Sequence, residues 1–242
     1  MSTEKKVDGE PKTELSPLRE RTFYCKVAVV GQSGTGKSYL SKTSDHSTTG
    51  YINMERKPLP YKQNESFKWI GQPKTWSGFK KCLEDYGNNP EVQRIIIDSQ
   101  TMAFNVLNKE MSQNFTGYDI YKNYNRQVYE YLELLKNIQK DIIVLSHEEI
   151  LKLDEGSKVK RMAVHGKEFE SKIEQHFVVV LYTGTRIKDS KPQYFLRTFE
   201  VDTSTKVPEG LFPDKNGDNM MEIPNDANYI FTCIEEYYSV NN

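Results

Sequence analysis

The stretch Gly31-Gln32-Ser33-Gly34-Thr35-Gly36-Lys37-Ser38 limits this chain more than any other part of it. It follows the pattern G-x-x-x-x-G-K-[ST] in full. It sits directly behind FYCKVAVV, an apolar run with the length and composition of a buried parallel strand. Glycines let the backbone close around an anion, and successive N–H groups then face phosphate oxygens. A lysine in this place reaches the β- and γ-phosphates, and the serine hydroxyl is a ligand for Mg²⁺. Gly31 through Ser38, together with Tyr39, are the expected nucleotide-binding residues, with ATP and Mg²⁺ as ligands. A strand that runs into such a turn and then a helix predicts an α/β layer structure around a mainly parallel sheet.

The rest of the chain repeats the alternation. TGYINM (49–54) reads as a second strand ending at Glu55, and 67–71 as a short third one. Trp76, Phe79, Leu83 and Tyr86 stand three and four apart, which predicts a helix over 75–86. RIIID (94–98) is a buried strand, while 102–118 fits neither period. An apolar stripe from Ile120 to Ile138 predicts an amphipathic helix, and DIIVLSH (141–147) another buried strand. A charged loop or hairpin follows over 150–166, then strands at 176–182 and 192–199, an irregular stretch over 203–226 and a closing helix over 226–238. The expected organisation is a flexible charged tail over 1–21, an ATPase core over 22–212, and a C-terminal extension with a helix over 213–242.

Lys+Arg 33 against Asp+Glu 34 gives a net charge of -1, which excludes a globally basic nucleic-acid coat but not a local basic groove. No apolar run approaches the roughly 18 residues of a membrane span, and MSTEKKVDGEPKTEL has no apolar signal core. Cys25, Cys82 and Cys233 are odd in number and far apart, which argues against a disulfide framework and for a reducing compartment. The expected location is the cytoplasm.

Three further residues are candidates for chemistry. Asp98 ends a buried strand and is placed to complete the Mg²⁺ site with Ser38. Glu55, at the end of a neighbouring strand, is placed to polarise water for attack on the γ-phosphate. Its alternative is a solvated loop glutamate. His147 ends the strand DIIVLSH, where a polar side chain can touch the γ-phosphate, or simply be a structural histidine.

The order GQSGTGKS, YINMERKPLP, RIIIDSQTMA and IIVLSH resembles the RecA-type recombinase core. It is most similar to the small phage RecA-core ATPases, known as phage nucleotide-binding or Sak-type single-strand annealing proteins. GKEFESKIEQHFVVVLYT, YFLRTF and KVPEGLF add to the likeness, which covers roughly residues 22–212. The resemblance implies a RecA-like fold, a catalytic role for Glu55, and a γ-phosphate sensor at His147, where such proteins usually carry Gln. It implies single-stranded DNA at two loops, here about 102–118 and 148–165. The second loop carries Lys152, Lys158, Lys160 and Arg161, a track for phosphates diluted by Glu148, Glu149, Asp154 and Glu155. A solvated charged loop is the alternative. In the first, Phe104, Phe115 and Tyr118 are either stacking platforms or core. RecA-type assemblies also complete the ATP site with cations from a neighbouring subunit, and Arg186, Lys188 and Lys191 are the candidates. Expected partners are single-stranded DNA, further copies of the chain in a ring or filament, and a single-strand DNA-binding protein. Two other function classes are a small-molecule P-loop kinase, with 150–165 as a basic lid, and a nucleotide-dependent adaptor for replication or packaging partners.

Overall fold

The computed structural model describes residues 23–62, 66–152, 156–170 and 172–239. The expected tail over 1–21 lies outside the described residues, as do Asp154 and Glu155. The strand ahead of the glycine-rich turn is β1 (Lys26–Gly31), buried at every position. It is followed by β2 (Thr49–Asn53), β3 (Trp69–Gly71), α1 (Trp76–Asn88), β4 (Arg94–Asp98), α2 (Gln100–Asn114), α3 (Tyr118–Asn137) and β5 (Asp141–Lys152). The chain continues through β6 (Lys158–Met162), β7 (Val179–Lys188), β8 (Lys191–Arg197), β9 (Glu222–Pro224) and α4 (Ala227–Tyr238).

The main path of the sheet is β3-β2-β4-β5-β1-β7-β8-β9, with β6 hairpinned onto β5. From β3 to β7 every neighbouring pair is parallel, and β8 and β9 are added antiparallel. Parallel neighbours need crossovers, so both faces of the sheet are covered. One face carries α1, α2 and α3, whose Phe79, Leu83, Phe104, Val128 and Tyr131 pack on Ala28, Ile95, Ile97 and Val144. The other face carries Leu40 and the α4 residues Ile230, Phe231 and Ile234, packed on Val27, Val29, Ile96 and Leu145. This is a mixed α/β core with a central, mostly parallel sheet flanked by helices.

Three local results differ from the sequence expectation. The glycine-rich turn opens not a full α-helix but a six-residue 3-10 helix, Ser38–Thr43. The cause is side-chain competition: Ser41 Oγ, Thr43 Oγ1 and Ser44 Oγ each donate to the carbonyl three residues earlier. The ambiguous stretch 102–118 is mostly α2. Ser99 caps it by accepting from the Met102 amide, and Ala103, Phe104 and Leu107 form its buried face. Phe104 is 1% exposed, so it is core and not a DNA platform, whereas Tyr118 is 81% exposed. The irregular stretch 203–226 contains β9, so the C-terminal extension supplies both a strand of the main sheet and a helix of its core. No helix of the described residues is long and apolar enough to cross a membrane.

Candidate nucleotide site

Parallel strands end on the same edge of a sheet, and that edge gathers the candidate residues. The β1–β5 register sets Gly31 opposite His147, and the β2–β4 register sets Asn53 opposite Asp98. The loop after Gly31 uses two glycines in the left-handed region, Gly34 at φ 81° and Gly36 at φ 92°. Thr35 closes the loop by donating to the Gln32 carbonyl at 2.7 Å, and its hydroxyl lies 2.6 Å from that of Thr183 on β7.

Lys37 is 7% exposed. Its ammonium donates to the Gly31 carbonyl at 2.7 Å and the Gln32 carbonyl at 2.6 Å. Burial pulls its pKa down to about 8, although the carboxylates of Asp98, Glu55 and Glu148 oppose the shift. A cation stripped of water and surrounded by the loop's own carbonyls is poised for an anion.

Asp98 is 4% exposed. Burial raises its carboxyl above the usual range against hydrogen bonds from Ser38 and Tyr51, with Glu55 also raising it and Lys37 opposing. The Tyr51 hydroxyl donates to Oδ2. A hydroxyl and a carboxylate side by side form a hard-oxygen pair that suits Mg²⁺, which takes one or two carboxylates and fills its other positions with phosphate and water.

Glu55 is aimed by a tight turn. The Met54 amide donates to the Asp98 carbonyl at 2.6 Å, the Arg56 amide to Asn53 Oδ1 at 2.7 Å, and Arg56 itself has φ 53°. The Glu55 carboxylate then lies 3.3 Å from His147 Nε2 and 2.8 Å from Lys57 Nζ. Burial works to raise its pKa, and the hydrogen bonds from Lys57 and His147 outweigh it, so the carboxyl is held below its usual value. His147 is fixed from behind, its backbone amide donating to Thr101 Oγ1 at 2.9 Å.

Lys37, Glu55 and His147 line one cavity of about 650 Å³, together with Ser33, Gly34, Gly36, Ser38 and Tyr39. A family model described as an AAA domain matches residues 24–209. The chain belongs to this AAA-domain family. No curated protein matches it. The family is one of P-loop NTPase domains that bind nucleotide, and the phosphate loop makes this cavity the candidate nucleotide site.

The AAA domain also uses residues that the sequence did not single out. Tyr51 orients Asp98, and Tyr194 and Asn225 line the cavity. Asn225 lies beyond the matched residues, yet its amide donates to the Gly36 carbonyl at 2.9 Å, and the Ala227 amide donates to Thr43 Oγ1. A local motif search has no signal for such partners, because they come from 184 to 189 residues further along the chain.

The remaining candidates are spread over two hairpins. On β5–β6, Lys152 stands opposite Lys158 and Glu149 opposite Arg161, while Lys160 pairs with Glu200 at 3.1 Å. On β7–β8, Asp189 and Ser190 form a two-residue turn with φ 51° and 60°, flanked by Lys188 and Lys191. Arg186 is held within its own chain by Glu222 at 2.7 Å, by Gln193, and against the Phe195 ring. Lys191 lines the cavity of its own chain.

The crowding around Gly36 gives a first expected outcome. A Cβ there would come within 2.6 Å of the Tyr194 ring, in a backbone region that side chains rarely adopt. Gly36→Ala should cost about 1–3 kcal/mol of stability and lose nucleotide binding. Denaturant midpoints at unchanged slope and ATP titration measure the two effects, and an unchanged midpoint would show that the loop gives way freely.

Proposed function

We propose that this AAA domain hydrolyses ATP and acts on single-stranded DNA as an annealing or recombination protein of the small phage RecA-core kind. Lys37 would hold the β- and γ-phosphates, and Glu55 would orient the attacking water. Mg²⁺, when bound, neutralises charge between the β- and γ-phosphates. Ser38 and Asp98 are the residues that would hold it. Lys188, at the tip of an exposed hairpin, is the candidate for a contact into a neighbouring copy, and head-to-tail contacts of that kind close into rings or extend as filaments.

What supports the DNA reading is the continuity of β5. One strand runs from the core through His147, which touches Glu55, and onward without a break to Lys152. At its far end Lys152 faces Lys158 directly. Like charges opposite each other destabilise a hairpin, and a phosphate backbone laid across them relieves that repulsion. Nucleotide state and DNA contact would thus share one rigid element.

The test is Mg²⁺-dependent ATP turnover with and without poly-dT at about 50 and about 200 mM salt. Turnover should rise with the oligonucleotide. Two lysines on two phosphates of a single strand predict about a sevenfold loss of DNA affinity over that salt range. No stimulation, with no oligonucleotide binding in the presence of ATP, would overturn the reading and turn the search to small phosphoryl acceptors.

A further inference from the structure

Strand order divides the cavity into two ends. Asp98, Glu55 and His147 come from β4, the end of β2, and β5, all on one side of β1. On the other side of β1 lie β7 and β8, and from β8 the residues Lys191, Pro192, Gln193 and Tyr194 line the same cavity. A nucleoside triphosphate lying across the loop with its γ-phosphate toward Glu55 must send its base toward β8. There the lining changes character. The Tyr194 ring packs against the Tyr39 ring with centroids 5.4 Å apart, and Tyr39 meets the Tyr61 ring edge-on at 5.9 Å. Pro60 and Pro192 border the same space.

Two polar side chains at this end are partly engaged: the Asn225 amide donates to the Gly36 carbonyl, and Gln193 Oε1 accepts from Arg186. Asn225 Oδ1 is buried without a hydrogen-bond partner among the described residues, and Lys191 shares the lining with it. The broadest surface left to a flat ligand is that of the two rings. We propose that Tyr39 and Tyr194 form the nucleobase platform of this site, holding the base of a nucleoside triphosphate by stacking while the phosphate loop holds the chain. The proposal rests on the nucleotide reading above and adds where the base goes and what holds it. Each base–aromatic contact of this type contributes about 1–3 kcal/mol, or roughly 5- to 150-fold in affinity.

Two ligands separate the two ends of the cavity: Mg²⁺–ATP, which has a base, and Mg²⁺–tripolyphosphate, which has none. Each is titrated calorimetrically into the full chain and into Tyr194→Ala, Tyr39→Ala and Tyr194→Phe variants. Both alanine variants should bind ATP at least fivefold more weakly, bind tripolyphosphate as the parent does, and Tyr194→Phe should restore ATP affinity. If tripolyphosphate weakens as much as ATP, Tyr194 merely props Gly36 and the platform is wrong. If ATP affinity is unchanged in both alanine variants, the base lies elsewhere. If the parent chain binds neither ligand, the nucleotide reading itself falls and takes the platform with it.

Discussion

Replacing Lys37 with alanine is expected to weaken ATP binding by about 100-fold or more and to abolish turnover. Charge-assisted hydrogen bonds contribute about 1.5–3 kcal/mol each, and this ammonium is placed to make more than one of them to phosphate. Its lowered pKa adds a pH signature that a purely structural residue would lack. Only the charged form attracts phosphate, and in the free chain that form is lost above about pH 8. ATP affinity should be flat below pH 7 and fall about tenfold per unit above pH 8, with a proton taken up on binding. Folding responds with the opposite sign. Between about 8 and the ordinary lysine value of 10.5, the unfolded chain keeps a proton that the folded chain has released, so Lys37 makes stability rise with pH across that window. Several tyrosines have raised pKa values and pull the other way above pH 10. The measurement is therefore the difference in melting temperature between the parent and Lys37→Met, from pH 7 to 9.5 without nucleotide. ATP affinity that is independent of pH over that range, or a Lys37→Ala chain that binds ATP within threefold of the parent, would remove Lys37 from the phosphate site.

Most of the sheet was legible because its strands are buried on both faces and read as short apolar runs: Lys26–Gly31, Arg94–Asp98 and Asp141–Leu145 need no neighbour to be recognised. The helix α1 was legible for a different reason. Trp76, Phe79, Leu83 and Tyr86 are its buried residues, and they keep the helical period. Where periodicity is weak, the reading failed. In α2 only Gln100, Ala103, Phe104 and Leu107 are buried, the C-terminal half is solvated, and the cap Ser99 hides behind the more conspicuous Asp98. The 3-10 helix from Ser38 was missed because serine and threonine hydroxyls competed for backbone carbonyls that an α-helix would have used. In the site, residues named by motif (Ser33, Gly34, Gly36, Lys37, Ser38) and by strand end (Glu55, His147) line one cavity, and Asp98 is hydrogen-bonded to Ser38. Tyr51, Tyr194 and Asn225 were invisible, since their contribution exists only after β4, β8 and β9 have docked.

Glu55→Gln is the substitution that separates binding from chemistry. Glutamine keeps the shape of the side chain and removes its capacity to accept a proton. The carboxylate contacts Lys57 and His147 and approaches Lys37 only through space, so the phosphate loop is left intact. ATP affinity should stay within a few-fold of the parent, while turnover falls by about 10²–10⁴, the range of positioned general-base catalysis. His147→Ala is the comparison that gives this result meaning. It deletes one contact at 3.3 Å and leaves the carboxylate in place beside Lys57. A single hydrogen bond of that kind is worth about 1 kcal/mol, so basal turnover should fall by less than about tenfold. Single-turnover assays on both variants, with ATP saturating, read the two losses on the same scale. A Glu55→Gln chain that turns over like the parent would assign the water-orienting role to another group. Equal, large losses in both variants would mean that the histidine and the carboxylate act as one unit, because the effects of residues acting together are not additive.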